Sequence, residues 1–263
     1  MHASNLYLVT RYSLKSWDLF EGLTRNLLRD DQLRREWLLH RNELFLSLCL
    51  PSILRQSKLP NSWIILFDES DEWVVQALRL SKYDWIFPVL VKYGEDGKTQ
   101  ILETIKKNLE HSGDQYIRVC RLDNDDMLSF DYIEKVSDVP DSFAEKSVGD
   151  SKTYAVVASK GCRWDGKTNI IFDYLNSPFI TYFFKKKKLT NSLFFSPFEK
   201  KHTLILEEPH FILKSEHPLW LQYIHNKNMR NEMAPKGKIY PSLSRHNLEQ
   251  IFGLKSVQTK RNF

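Results

Sequence analysis

The chain has 263 residues, a length that suits one large α/β domain and is short for two domains that each bury a full core. Hydrophobic residues make up 42% and charged residues 27%, a balance that excludes a disordered chain. The net charge of +5 is too small for a dedicated nucleic-acid-binding protein. We therefore expect a single folded domain over residues 1–263 and no nucleic-acid partner.

The sequence predicts a cytoplasmic protein. No apolar stretch approaches the roughly 20 residues that a membrane-spanning helix needs, and the N-terminus lacks the basic and then apolar pattern of a signal peptide. Three cysteines, Cys49, Cys120 and Cys162, are scattered along the chain. An odd and scattered set favours reduced, structural thiols over a disulfide framework or a zinc site.

The first half of the chain alternates between predicted strands and predicted helices. Apolar runs predict buried strands at about residues 5–10, 63–67, 85–93 and 116–120. Apolar residues at helical spacing predict helices at about residues 32–56, 73–80 and 101–109, the first kinked or restarted at Pro51. This alternation predicts right-handed crossovers and an α/β fold with a mainly parallel central sheet.

Polar residues follow three of these strands. Thr10 and Arg11 end the first, Asp68 follows the second, and an aspartate-rich segment follows the fourth. Ligands of parallel sheets bind beyond the carboxyl ends of the strands, so we expect these residues to converge although they are distant in sequence. Asp68 also begins an acidic segment that can cap the following helix, so both roles stay open for it.

The second half of the chain is less regular. The sequence predicts a strand at about residues 153–159, a hairpin turn at Asp165-Gly166 and a return strand at about residues 170–174. Further on, Lys185–Lys188 follow the aromatic-rich segment Phe179–Phe184. Such a junction can dock peripherally on an anionic membrane. A strand that ends in a solvated, charged turn is the favoured explanation, and the membrane contact stays open as the alternative.

The aspartate-rich segment carries the strongest chemical signal. Asp123, Asp125 and Asp126 lie within four positions at the end of a predicted buried strand. Their mutual repulsion is tolerated only beside a cation or in water. Carboxylate oxygens suit Mg²⁺ or Mn²⁺, which usually keep waters and bridge to substrate phosphates. The alternative is a loop in which Asp126 or Ser129 only caps the next helix.

Several segments together resemble one protein family. Arg121–Asp126 (RLDNDD) resembles the TRLDNDD motif of the putative rhamnosyltransferase family, whose members look like GT-A enzymes. Leu8–Tyr12 resembles its opening LTRF motif, and Leu50–Gln56 and Leu66–Glu69 resemble its PSxxxQ helix and LFDE strand end. Trp220–Asn228 is similar to its WLQxxHxxN segment. The matches follow the family's order and cover most of the chain.

The resemblance implies a GT-A glycosyltransferase with an α/β, Rossmann-like fold. Residues up to about 128 would bind the nucleotide-sugar donor, and residues from about 129 would bind the acceptor. Two departures from the family pattern concern Cys120, which stands where a threonine is usual, and residues 184–201, which are unusually rich in lysine and phenylalanine. The second departure leaves the acceptor undetermined.

The resemblance also implies roles for the aspartates. Asp123 would accept hydrogen bonds from the ribose of the donor. Asp125, with Asp126, would ligate a Mg²⁺ or Mn²⁺ ion that bridges the two phosphates. His225 is similar in position to a histidine that often supplies another metal ligand in GT-A enzymes, whereas the residue taken alone indicates a helix-end histidine.

Four further residues are candidates for donor binding. Arg11 and Arg121 can pair with the diphosphate because guanidinium forks match phosphate oxygens, with ordinary surface ion pairs as the alternative. Asp68 occupies the position at which related folds recognise the nucleotide base, and Thr10 can lie against the same base.

The implied reaction is transfer of a sugar, L-rhamnose from dTDP-rhamnose, to a bacterial surface-glycan acceptor such as lipopolysaccharide or capsule. Inversion at the sugar carbon needs a base that takes the acceptor proton. Glu207, Glu208 and His210 have the right order in the chain for this role, and Asp165 and Asp173 remain alternatives.

Other functions stay open at this point. A different nucleotide-sugar donor would leave the same pattern. A nucleotidyltransferase also uses paired aspartates and a metal, but it should show a glycine-rich or lysine-bearing phosphate loop early in the chain, and residues 8–17 contain no glycine. A carbohydrate- or membrane-binding module without activity would leave the aspartates unexplained.

Overall fold

The structure is a computed structural model that describes residues 4–14, 30–92, 95–109, 116–143, 154–175, 177–186, 209–226 and 237–254. Its strands are β1 (Ser4–Arg11), β2 (Pro60–Asp68), β3 (Ile86–Val91), β4 (Tyr116–Arg121), β5 (Met127–Leu128), β6 (Tyr154–Ala158), β7 (Lys160–Trp164), β8 (Asn169–Asp173), β9 (Ile180–Lys185), β10 (His210–Leu213), β11 (Trp220–Tyr223) and β12 (Ile239–Tyr240). Its helices are α1 (Asp31–Leu44), α2 (Leu50–Leu54), α3 (Glu72–Leu78), α4 (Glu95–Leu109), α5 (Tyr132–Ser137) and α6 (Arg245–Phe252).

The central sheet has seven strands in the order β10-β6-β9-β4-β1-β2-β3. The strands β4, β1, β2 and β3 run parallel, β10 runs parallel to β6, and only β9 is antiparallel to its neighbours. The expected α/β fold with a mainly parallel central sheet is therefore confirmed. Because β1, β2 and β4 point the same way, their last residues, Arg11, Asp68 and Arg121, share one end of the sheet, here called the carboxyl edge.

A second sheet of five strands begins beside the carboxyl edge, in the order β12-β8-β7-β11-β5. Its first strand in the chain, β5, starts six residues after the last residue of β4. Strand β11 pairs antiparallel with β5 and parallel with β7. The end of β11 is therefore held next to the segment that connects the two sheets.

The helical region from α1 to α2 packs against both sheets. It begins with Asp30, whose carboxylate caps α1 by accepting from the Leu33 N–H at 3.0 Å. One face of the helical region, including Leu38, belongs to the core under the central sheet, and another face, including Leu44, packs with residues of the second sheet such as Leu221. This position places the end of α1 over the carboxyl edge.

Two local predictions differ from the structure. The helix predicted over residues 32–56 contains a π-helical turn, Phe45–Cys49, between α1 and α2, and Pro51 lies in the first turn of α2. A proline fits there because the first turn of a helix needs no N–H from it. The hairpin around Asp165 has β7 as its first strand, whereas the predicted strand near residues 153–159 is β6 of the central sheet.

The aromatic and lysine-rich junction coincides with the end of β9. This strand ends at Lys185, while Lys187 and Lys188 lie outside the described residues. In the part of the chain that the structure describes, no helix combines the length and the apolar character needed to cross a membrane.

Candidate functional site

The segment Asp123–Asp126, here called the acidic turn, lies where the chain leaves β4. Strand β4 pairs with β1 so that Arg121 lies beside Val9, and the Leu122 N–H then donates to the Val9 carbonyl at 3.1 Å. The chain reverses with the Asp126 N–H donating to the Asp123 carbonyl at 3.3 Å. The acidic turn is therefore fixed at the carboxyl edge, beside the end of β1.

Asp125 is buried and already paired within the protein. Its Oδ2 atom forms an ion pair with Nη1 of Arg41 and lies 3.0 Å from Nε2 of His225. Burial raises the pKa of Asp125, but Arg41 and His225 together outweigh burial and hold that pKa below its ordinary value. Asp125 is therefore ionised, and its charge is matched by neighbouring side chains.

Asp126, one residue later, lies in a different electrostatic environment. It is 2% exposed, and its Oδ1 atom accepts a hydrogen bond from the Tyr223 N–H at 3.1 Å, just beyond the pairing of β5 with β11. Among the described residues it has no ion pair. Burial, followed by the charges of Asp125 and Asp123, raises the pKa of Asp126 well above its ordinary value. In the part of the chain that the structure describes, no cation lies within ion-pair distance of this carboxylate, and the charge of Arg41 offsets only part of the rise in its pKa.

Asp123 is the exposed member of the acidic turn, with 38% of its side chain accessible. Its Oδ1 atom lies 3.6 Å from Nε of Arg121, and its backbone carbonyl accepts from the Cys49 thiol at 3.6 Å. Burial raises the pKa of the Cys49 thiol well above its ordinary value, so this cysteine is a structural thiol rather than a nucleophile.

Arg41 connects α1 to the acidic turn. It lies in the last turn of α1 and is 8% exposed. Besides its pair with Asp125, its Nη1 atom donates to Oδ1 of Asn124 at 3.2 Å, and the guanidinium carbon lies 5.1 Å from the centre of the Trp37 ring. Asn124 donates in turn to the Tyr12 carbonyl at 3.2 Å. Helix α1, the acidic turn and the end of β1 are thereby joined.

Arg41 is not among the site residues predicted from the sequence, although the sequence contains a signal for it. Arg34, Leu38 and Arg41 are spaced four and three residues apart, which is the spacing of one buried helical face. Arginines on such a face indicate buried acidic partners. Arg34 and Arg41 each have such an acidic partner, because Arg34 pairs with Asp71 and Arg41 pairs with Asp125.

His225 follows β11 and lies beside both the acidic turn and α1. Its Nδ1 atom faces Nε2 of His40 at 3.4 Å, and its ring stacks on that of Tyr223 with 5.5 Å between centroids. The structure thus brings together three residues that the sequence proposed for a metal, namely Asp125, Asp126 and His225.

The remaining donor-binding candidates lie at the ends of β1 and β2. Thr10 is fully buried, and its hydroxyl accepts from Nε1 of Trp63 at 2.9 Å, so it faces the core. Arg11, the next residue, is partly exposed. Asp68 accepts from the backbone and hydroxyl of Ser70 at 3.1 and 2.6 Å and caps the short 3-10 turn that follows β2.

The candidates for the base lie elsewhere. Glu207 and Glu208 fall outside the described residues. His210 is the first residue of β10 and pairs with Ala155 near the start of β6. Because β6 and β10 run in the same direction as β4, the start of β10 lies toward the opposite edge of the sheet. The structure does not bring His210 to the acidic turn.

The two alternative bases are engaged in local hydrogen bonds. Asp165 accepts from the backbone N–H groups of Thr168 and Lys167 at 2.7 and 2.8 Å within its own hairpin turn, and these bonds lower its pKa. Asp173 accepts from the hydroxyl of Tyr240. A carboxylate with a lowered pKa is a weak proton acceptor, so Asp165 is poorly suited to the role.

The donor atoms of the acidic turn are carboxylate oxygens, which fit a hard divalent cation. Within the described ranges, no three or more His, Cys, Asp or Glu side chains are grouped so as to hold a metal ion by themselves. Mg²⁺ is usually held by one or two carboxylates together with substrate phosphates. The carboxylate of Asp126 can supply such a ligand, so the site fits a metal whose remaining ligands are waters and, when the donor is bound, its phosphates.

One comparison with known proteins identifies a family. A family model described as "Putative rhamnosyl transferase" matches residues 6–237. No curated protein matches the chain significantly. Solved structures with remote similarity include TarS 1-349 of S. aureus in complex with UDP, which is 11% identical with a TM-score of 0.39, the alignment covering 83% of this chain and 60% of that one.

Two other solved structures are also remotely similar. One is 4-diphosphocytidyl-2C-methyl-D-erythritol synthase of Anaerococcus prevotii, 14% identical with a TM-score of 0.31, covering 79% of this chain and 86% of that one. The other is a putative nucleotide-diphospho-sugar transferase of Desulfovibrio desulfuricans, 13% identical with a TM-score of 0.34, covering 80% of each chain. Only the family match is close enough to support a conclusion about activity.

Proposed function

The chain belongs to the putative rhamnosyl transferase family and is a glycosyltransferase; we propose that it transfers L-rhamnose from dTDP-rhamnose, with inversion and with Mg²⁺ or Mn²⁺, to a bacterial surface glycan such as lipopolysaccharide or capsule. The GT-A-type α/β fold implied by the sequence resemblance is confirmed.

One observation supports metal-dependent donor binding most directly. Asp126 is a buried carboxylate at the carboxyl edge without a paired cation in the described residues. Nearby, Arg41 and Arg121 each have a buried Nε–H group with no hydrogen-bond partner among the described residues. Arg41 pairs with Asp125 and Arg121 lies near Asp123, but their Nε–H groups can still donate to an anion. A carboxylate that can accept a cation beside two such donors fits a metal-bound diphosphate.

The proposed roles of the residues follow from their positions. The acidic turn and His225 would hold the metal, which when bound would stabilise the charge that grows on the departing nucleotide diphosphate. Arg121 and Arg11 would bind the diphosphate, and Asp123, the exposed aspartate, would bind the ribose. Asp68 at the end of β2 remains the proposal for the base, whereas Thr10, which faces the core, is withdrawn from this role.

The acceptor side of the reaction is proposed from the second half of the chain. Glu207 and Glu208 remain the candidates for the base that takes the acceptor proton. Lys185–Lys188 would make a peripheral contact with the anionic inner face of the cell membrane, where a lipid-linked glycan acceptor would be presented to a cytoplasmic enzyme.

Calorimetric titration with dTDP and with UDP, each in the presence of Mn²⁺ and then of a chelator, tests this function. We expect Mn²⁺-dependent binding of dTDP that is at least about tenfold weaker in Asp126→Asn, because a metal-bridging carboxylate is lost. Asp126→Asn should stay folded, because asparagine has nearly the same shape and keeps a side-chain oxygen that can accept from the Tyr223 N–H. Asp138→Asn, at the exposed end of α5, is the matched control.

Each contrary outcome has a separate meaning. Binding that persists with chelator would overturn the metal dependence. Tighter binding of UDP than of dTDP would replace the proposed donor. Failure of both nucleotides to bind would reject this donor class altogether.

A further inference from the structure

The two adjacent buried aspartates of the acidic turn are not equivalent. Asp125 has a guanidinium and an imidazole on its Oδ2 atom, whereas Asp126 has one backbone hydrogen bond and no cation among the described residues. Their side chains are both almost fully buried, so solvent screening does not explain the difference. The difference arises from Arg41, which α1 directs at Asp125.

Arg41 is held firmly in this place. It forms a hydrogen bond with Asn124 and an ion pair with Asp125, and its guanidinium carbon lies over the Trp37 ring. Only 8% of the residue is exposed. A planar guanidinium that already makes several fixed contacts loses little additional conformational entropy by staying paired with Asp125. Breaking a buried ion pair is also strongly unfavourable because it leaves an uncompensated charge. Asp125 is therefore poorly available to an incoming cation.

We infer that Arg41 is the built-in counter-cation of Asp125 and that this pair reserves Asp126 as the carboxylate that meets the divalent metal. Arg41 is thus a positioning residue that acts through Asp125. This inference rests on the proposed metal-dependent function, and within that function it makes Asp126 rather than Asp125 the carboxylate ligand of the metal.

The inference predicts a gain of metal binding when Arg41 is removed. Arg41→Met releases Asp125 and adds one net negative charge beside Asp126. The affinity for Mn²⁺ without nucleotide should rise at least about fivefold, which is the effect of one unit charge a few ångströms away even in a water-like dielectric. If Arg41 had only a structural role, its replacement would lower the Mn²⁺ affinity or leave it unchanged.

Free Mn²⁺ can be counted by electron paramagnetic resonance during titration of the purified protein without nucleotide. Asp126→Asn should lose binding. The double variant Arg41→Met/Asp125→Asn should bind within about twofold of the wild type, because removing both partners leaves the local charge unchanged. Arg41→Lys, which keeps the charge, should behave like the wild type.

Arg34→Met is the matched control. Arg34 lies on the same helix and forms a buried pair with Asp71, away from the acidic turn, so its replacement should leave the Mn²⁺ affinity unchanged. Circular dichroism verifies that each variant is folded, and the double variant keeps the test valid if Arg41→Met alone does not fold.

Two results would overturn the inference. One is a fall in Mn²⁺ affinity in the double variant comparable to that of Asp126→Asn, which would make Asp125 a direct ligand. The other is the absence of any rise in folded Arg41→Met, including the case in which neither it nor the wild type binds Mn²⁺. The Mn²⁺ titration uses no nucleotide. Its result therefore stays interpretable even if dTDP fails to bind in calorimetry.

Discussion

At the scale of single residues, two Asp–His pairs among the described residues have nearly equal distances and different surroundings. His225 lies 3.0 Å from Asp125 inside the acidic turn, and His217 lies 2.9 Å from Asp131 near the start of α5. Asp131 also accepts from the Ser129 hydroxyl at 2.8 Å. In the second pair, Asp131 is hydrogen-bonded to both His217 and Ser129, so the role of this pair is to anchor the start of α5.

The Asp131 pair predicts a pH dependence of stability. Burial raises the pKa of Asp131, but the hydrogen bonds from His217 and Ser129 outweigh it, so the folded-state pKa lies below the ordinary value. Ionised Asp131 therefore favours folding above about pH 4, and this contribution is lost as the pH falls through the folded-state pKa. The difference in Tm between wild type and Asp131→Asn should be fully present above about pH 5 and should shrink toward about pH 3.

Thermal unfolding at several pH values measures this difference. Asp138→Asn is the control, because that exposed side chain at the other end of α5 should contribute little at any pH. A gap between wild type and Asp131→Asn that stays constant, or widens, toward low pH would show that the ionised form of Asp131 is not what favours folding.

The residues of the candidate site were only partly predictable from the sequence. The aspartates stand out because three carboxylates follow one buried strand. The bond from Tyr223 to Asp126 could not be predicted, because it depends on the antiparallel register of β5 and β11. The pairing of Arg41 with Asp125 depends likewise on the way in which α1 crosses the carboxyl edge.

At the scale of elements, the helical region between β1 and β2 shows how a local irregularity shapes the site. Its π-helical turn, Phe45–Cys49, brings the Cys49 thiol to the carbonyl of Asp123. Such turns frequently occur at functional sites. Pro51 correctly predicted the start of a new helical segment. No side-chain pattern in the sequence predicts the π-helical turn that precedes this segment.

The end of this helical region is fixed by one buried amide. The Gln56 side chain donates to the Ser52 and Ser129 carbonyls at 3.0 and 2.6 Å and accepts from the Ile133 N–H at 3.1 Å. It thereby joins α2 to the beginning of α5. Gln56→Ala should lower the free energy of unfolding by about 1–3 kcal/mol, because buried polar groups lose their partners.

Urea denaturation measures this loss. Gln100→Ala is the matched control: Gln100 is partly buried and its side chain donates one hydrogen bond, to the Leu90 carbonyl at 2.6 Å. Its replacement should cost less than that of Gln56. Equal costs for the two variants would contradict a special role for Gln56 in joining the two elements.

At the scale of the whole molecule, the two sheets differ in how well the sequence predicts them. The parallel strands of the central sheet are continuous apolar runs separated by helices, so local patterns suffice. The second sheet combines β5, which has two residues, with β11, which lies more than ninety residues later. No local pattern marks such strands, because their pairing is decided by the packing between distant segments.

That packing centres on Trp220, which joins the second sheet to the central one. Its ring is fully buried, stacks on Phe179 at 5.1 Å, meets Phe172 edge-on at 5.5 Å and donates from Nε1 to the Ala158 carbonyl at 2.8 Å. The ring lies directly against Gly161 on the neighbouring strand, and a Cβ atom there would overlap it. Glycine is therefore required at position 161 because the Trp220 ring of β11 lies directly against the backbone of β7.

Gly161→Ala should consequently destabilise the fold by about 1–3 kcal/mol through overpacking, seen as a lower midpoint in urea denaturation. Trp220→Leu provides the matched background, because the indole atoms that Cβ would overlap, Cζ2, Cε2 and Cη2, have no counterpart in the shorter leucine side chain. In that background the cost of Gly161→Ala should be smaller, a coupling expected only for residues in contact. An equal cost in both backgrounds would show that the glycine is needed for its backbone and not for the tryptophan.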